Sequence, residues 1–150
     1  MISPILEVEA DYDLRLNLLL SSLLAIPLIL GFILLSEDIG AASAMFGITV
    51  FDTLLFYAIL PRYYQIFQDR LKIVLGYPFA INISFSTMKE ARVVSASKAF
   101  IYWGIRFATS QKNVVEIVRN QGLNLVISPA KRNVFLDQLS QVLKAWAPAE

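Results

Sequence analysis

The chain has 150 residues, 57% of them hydrophobic and only 17% charged, with thirteen basic against twelve acidic side chains for a net charge of +1. Ordinary soluble domains carry about a quarter charged residues, so a wholly water-soluble globule fits poorly. There is no Cys and no His, which excludes thiol nucleophiles, disulfides, thiolate metal sites and imidazole chemistry.

The chain opens with an acidic segment, residues 1–15, in which Glu7, Glu9, Asp11 and Asp13 stand against Arg15 alone. Two apolar runs follow. Leu16 to Leu35 ("LNLLLSSLLAIPLILGFILL") carries no charge, and Ile39 to Leu60 ("IGAASAMFGITVFDTLLFYAIL") carries only Asp52. As helices, both are long enough to cross a hydrocarbon core roughly 30 Å thick. Buried core helices of a soluble protein would read the same way, but too little polar chain accompanies these to wrap them. A cleaved signal peptide is disfavoured, because the preceding stretch is acidic and the run is too long.

Only Ser36-Glu37-Asp38 joins the two runs, which predicts a tight antiparallel transmembrane hairpin over residues 16–60 with both ends on one side. The joining loop has no Lys or Arg, whereas Arg62, Arg70 and Lys72 follow the second run closely and Arg15 lies just before the first. The positive-inside rule then puts both termini in the cytoplasm and makes this a multi-pass protein of the cytoplasmic (inner) membrane. Pro61 suits a helix end.

Asp52 lies about 12 Å from the end of the second helix, at 1.5 Å per residue. A charge at such depth costs about 2.5–3.5 kcal/mol on insertion scales, so a polar partner is expected. Antiparallel pairing about Glu37 sets residue 52 level with Ser21 and Ser22, and Thr49 is one turn away. The expected role is a polar tie between the two helices, or between hairpins in a homo-oligomer.

Residues 62–150 hold twelve basic against five acidic side chains, a net +7, while residues 1–61 total −6. A basic domain beside an anionic leaflet is attracted to it, weakly and subject to salt. Arg62, Arg70 and Lys72 are the residues expected to face lipid. Twelve dispersed cations equally suit plain solvation, and their dispersal argues against nucleic acid as a partner.

After Pro61 the apolar period becomes two, the mark of half-buried strands. Strands are predicted over 62–68, 71–75, 79–85, 89–95, 101–107, 114–119 and 123–127. Gly76-Tyr77-Pro78, Gln68-Asp69-Arg70, Ser110 to Asn113 and Asn120-Gln121-Gly122 serve as turns. Hairpin spacing predicts a mostly antiparallel arrangement. Ser128 and Pro129 read as the cap and first residue of a closing helix. Phe135, Leu136, Leu139, Val142, Leu143 and Trp146 form its apolar stripe.

An α+β chain with seven strands and a C-terminal helix resembles a pleckstrin-homology (PH) domain as an open β-sandwich or barrel. "YYQIFQDRLKIVLGYPFAINISFSTMKEARVV" is similar to the opening strands of small bacterial PH-domain membrane proteins, and "GLNLVISPAKRNVFLDQL" to their ending. A leading two-helix hairpin also occurs in that group. The resemblance implies a β-scaffold over residues 62–150 that meets a membrane or cytoplasmic protein, or the leaflet itself. Phosphoinositide recognition is not implied, because Arg70 and Lys72 alone make no basic cluster at the first hairpin.

No phosphate loop, zincin signature or nucleophile elbow is present, and the sequence calls for neither an enzyme activity nor a cofactor. The expected function is a non-enzymatic, membrane-anchored interaction module. The alternative is ion or proton translocation through Asp52 in an oligomer, as in the rotor subunit of proton-driven ATP synthases. Against that stand a Leu-rich first helix and the acidic loop.

Overall fold

The structure, a computed structural model, describes residues 3–95 and 104–146. The chain forms two compact units. One is Leu14–Ile59; the other combines Met1–Asp13 with Leu60–Glu150.

The first unit is a pair of helices, α1 (Leu14–Leu34) and α2 (Ile39–Ile59). Both are long and apolar enough to cross a membrane, and only 6% of each apolar window is buried. Two capping interactions make the turn between them. The Leu34 carbonyl accepts the amides of Glu37 and Asp38 at 3.1 and 2.9 Å, ending α1. The Asp38 carboxylate then accepts the Ala41 amide at 3.0 Å, capping α2. On α1 the least exposed positions are Leu16, Leu20, Leu24, Pro27, Gly31 and Leu34; on α2 they include Ala42, Met45, Thr49, Asp52 and Phe56. Steps of three and four trace one stripe along each helix. The two helices come close at Gly31, where an added Cβ would lie 2.8 Å from the Phe46 ring. Phe46 in turn stands edge-on to Phe32, 5.3 Å between centroids.

Among the described residues, the second unit has eight strands and a helix. Strands β1 (Leu6–Glu9), β2 (Tyr63–Ile66), β3 (Arg70–Val74) and β4 (Ala80–Ser84) form one antiparallel sheet in that order. A single 3-10 turn, Phe85–Thr87, leads to the second sheet. That sheet holds β5 (Met88–Val93), β6 (Ile105–Phe107), β7 (Val115–Arg119) and β8 (Leu125–Ile127) in the order β5-β7-β8-β6. The helix α3 (Arg132–Trp146) ends the described chain.

The α+β class agrees with expectation and each expected strand range overlaps an observed strand, but three features differ. The acidic segment is not a separate tail: its alternating Leu6-Glu7-Val8-Glu9 pairs with Tyr63–Ile66 as an eighth strand. The arrangement is mostly antiparallel as expected, but β6 lies parallel to β8 rather than in a hairpin with β7. Ser128 and Pro129 do not start the helix, since Pro129 bridges Ala10 and α3 begins at Arg132. The first part of the strand expected over 101–107, with Trp103, lies outside the described residues.

Inward-facing side chains follow strand parity. Tyr64, Ile66, Leu71, Ile73 and Ile83 come from the first sheet, Ile117, Leu125 and Ile127 from the second, and Phe135 and Leu139 from α3. Tyr64 meets Phe135 edge-to-face at 6.2 Å. Leu136, Val142 and Leu143 pack at the margin of this core, and Trp146 stays 42% exposed.

Candidate functional site

Among the described residues of the β unit, a buried polar network holds the N-terminal segment in place. Ser128 is fully buried just after β8. Its hydroxyl oxygen accepts the amides of Thr109 and Ser110 at 2.8 and 3.2 Å, and the hydroxyl lies 3.3 Å from the Asp11 carbonyl. The Thr109 hydroxyl donates to that same carbonyl at 2.6 Å. The Ser128 carbonyl accepts the Asp11 amide at 2.7 Å, and the Asp11 carboxylate accepts Asn113 Nδ2 at 3.0 Å. Beneath them Tyr64 donates its hydroxyl to Phe107 O at 2.9 Å and receives the Ser128 amide at 3.3 Å. Burial pushes the Tyr64 phenol far above its ordinary value, with the hydrogen bonds from Ser128 opposing. Buried polar groups must be satisfied, and here that requirement consumes the carboxylate and backbone of the acidic segment.

The three lysine and arginine positions expected to face lipid are not gathered into one cluster. Arg62 is exposed and precedes β2, and its amide donates to Val74 O at 2.7 Å. Arg70 sits at the opposite end of the same sheet, across from Ser84. Its guanidinium lies 5.1 Å from the Phe67 ring centroid and 3.2 Å from Asp69, a stacked and partly neutralised cation. Lys72 is mid-strand between Gln65 and Asn82, and Gln65 in turn donates to the Glu7 carboxylate. Adding residues 1–13 to this unit brings its content to twelve basic and nine acidic side chains. The net charge of the unit is therefore +3, not the +7 of residues 62–150.

Asp52 and Thr49 share the stripe of α2 that turns toward α1, each partly buried. Ser21 and Ser22 do not join them. Both are exposed, and the Ser22 hydroxyl donates to Leu19 O in its own helix at 2.8 Å. Thr49 likewise donates to Met45 O at 3.0 Å. Among the described residues nothing donates to or pairs with the Asp52 carboxylate. The helix pair alone does not close the expected tie.

Several features had no sequence signal. Glu116 on β7 is buried to 4% exposure, and its carboxylate accepts Arg92 Nε at 2.7 Å and Asn124 Nδ2 at 3.4 Å. A cleft of about 380 Å³ is lined by Glu7, Glu9, Tyr63 and Lys131, opposite charges that give no net preference for an anion. A second, of similar volume, is apolar and lies between Ile5 and Trp146. Among the described residues no group of three or more acidic, His or Cys side chains could hold a metal ion. Comparison with protein-family models, curated proteins and solved structures finds no match.

Proposed function

We propose that this chain is a non-enzymatic interaction module anchored in the cytoplasmic membrane by α1 and α2, with a PH-like β unit on the cytoplasmic side. One observation carries the reading. The apolar helix pair is inserted between β1 and β2, which are themselves paired strand to strand. Glu9 faces Tyr63, and Ala10 N bonds Arg62 O at 2.8 Å. The chain therefore leaves the β unit and re-enters it at adjacent points, as a hairpin that crosses a bilayer and returns requires. The exposed Leu, Ile, Phe and Val side chains of both helices need a non-aqueous surrounding.

The PH-like reading rests on the seven strand positions after Pro61 and on α3 lying over the core. The extra strand β1 and the parallel β6–β8 pair distinguish this chain from a simple succession of hairpins. With a unit charge of +3, leaflet attraction is weak, and a protein partner is the favoured target. Photocrosslinking from exposed β-unit positions in intact cells tests this. A discrete crosslinked protein is expected; its absence at every position, with crosslinks to lipid alone, would overturn it.

A second reading draws on Asp52. A carboxylate facing the helix partner without a donor among the described residues is available to a second copy of the chain, or to a moving proton. Proton uptake by the reconstituted protein separates these.

A further inference from the structure

We propose that the β3–β4 turn, Gly76–Phe79, is an interfacial foot whose Tyr77 and Phe79 side chains seat in the headgroup region of the bilayer. The proposal rests on the membrane-anchored reading above and adds to it a lipid-contacting site on the β unit.

Tyr77 is 86% exposed and Phe79 54%. The turn that presents them is well formed: Phe79 N bonds Gly76 O at 2.7 Å, and Leu75 N bonds Phe79 O at 3.1 Å. Immediately behind it, Leu75 and Gly76 are buried. The sheet thus holds two large aromatic side chains outward from a closed turn.

Register decides where this turn sits. Glu9 pairs with Tyr63, Tyr63 with Val74 and Val74 with Ala80. One end of the sheet therefore carries the end of β1, the start of β2 and the β3–β4 turn. Those first two are the chain's exits toward α1 and α2. Four peptide steps separate Ile59, the last residue of α2, from Tyr63, a span of at most roughly 14 Å. With both exits at one sheet end, that end is tied to the membrane surface twice, and the turn beside it shares the tether. The other end, with Asp69, Arg70 and Ser84, has no such attachment.

The chemistry suits the place. Tyrosine pairs an apolar ring with a hydroxyl that hydrogen-bonds to water and headgroups, and aromatic residues are enriched at this level. A foot of this kind would set the standing orientation of the β unit without needing net positive charge.

The chain has no native cysteine, so single labels are straightforward. Tyr77→Cys, Phe79→Cys, Ser86→Cys and Phe51→Cys variants of the full chain carry a polarity-sensitive fluorophore in phosphatidylethanolamine–phosphatidylglycerol vesicles. The expected result is blue-shifted emission at positions 77 and 79, quenched by nitroxide on the headgroup and shielded from aqueous iodide. Position 86, at the far end of the sheet, is quenched by iodide. Position 51, on α2, is quenched by a deep acyl-chain nitroxide. If 77 and 79 behave like 86 while 51 reports the acyl region, the foot is wrong and the membrane anchor stands. If 51 also behaves as aqueous, the anchor fails and the foot with it. Shielding of 77 in cells but not in these vesicles would mean a protein covers it, which also overturns the proposal.

Discussion

Tyr12 and Pro61, forty-nine residues apart, flank the inserted helix pair and are joined by a hydrogen bond: the Tyr12 hydroxyl donates to the Pro61 carbonyl at 2.6 Å. With the β1–β2 ladder beside it, this contact makes the β unit a structure completed only when chain from both sides of the helices comes together.

A fragment spanning residues 62–150 should therefore lack a cooperative unfolding transition, because without β1 it exposes Tyr64 and Ile66 along an unpaired edge. Joining residues 1–13 to 60–150 through a short Gly-Ser linker should restore one. Circular dichroism melts of the two polypeptides decide the matter. Equal, cooperative melts would show that β1 is dispensable.

Tyr64→Phe should cost about 1–3 kcal/mol, since it strips the Ser128 amide of its acceptor and Phe107 O of its donor. The same phenol makes stability depend on alkaline pH. Its proton is held more tightly in the folded chain than in the unfolded one. That contribution is whole below pH about 10, the unfolded value, and is lost as pH climbs from there toward the folded value. Burial raises the Tyr12 phenol too, with Arg62 opposing. Urea midpoints of the full chain in detergent between pH 8 and 11 should fall, and fall less steeply in the Phe variant.

How much of this could be read beforehand varies by element, for physical reasons. Hydropathy marks α1 and α2 because runs of twenty or more residues with at most one charge have few other uses, and strict alternation marks β4. Strand β1 has the same alternation in Leu6-Glu7-Val8-Glu9, but it is four residues long and its partner is fifty-seven positions away. Ser128-Pro129 imitates a helix start because the hydroxyl that could cap a helix instead receives the Thr109 and Ser110 amides. Counting along the hairpin places Ser21 and Ser22 at the height of Asp52 but says nothing of rotation about the helix axis. The inner stripe runs through Leu20 and Leu24 and misses both serines.

Gly31→Leu should loosen the helix pair by about 1–3 kcal/mol, because its side chain must enter the space of the Phe46 ring. Adding Phe46→Ala should recover much of the loss. Thermal melts in detergent, following a fluorophore pair placed on the two helices, report it. A Gly31→Leu variant as stable as the parent would contradict the close approach.

Asp52→Asn should preserve accumulation and self-association, as it keeps size and hydrogen-bonding capacity. Asp52→Leu should weaken association by about 0.6–2 kcal/mol if the carboxylate ties one hairpin to another. Energy transfer between labelled copies in vesicles measures both. An Asn variant that associates normally but abolishes proton uptake shown by the parent would move the assignment to translocation.

The central claim is an anchor that crosses the membrane and returns, leaving the β unit inside. Single cysteines at Ser36, in the α1–α2 turn, and at Gln121, in the β7–β8 turn, test it most directly with an impermeant maleimide on intact cells. The account predicts that Ser36→Cys labels at once and that Gln121→Cys labels only after lysis. Labelling of Gln121→Cys in intact cells, or protection of Ser36→Cys there with labelling after lysis, would contradict it.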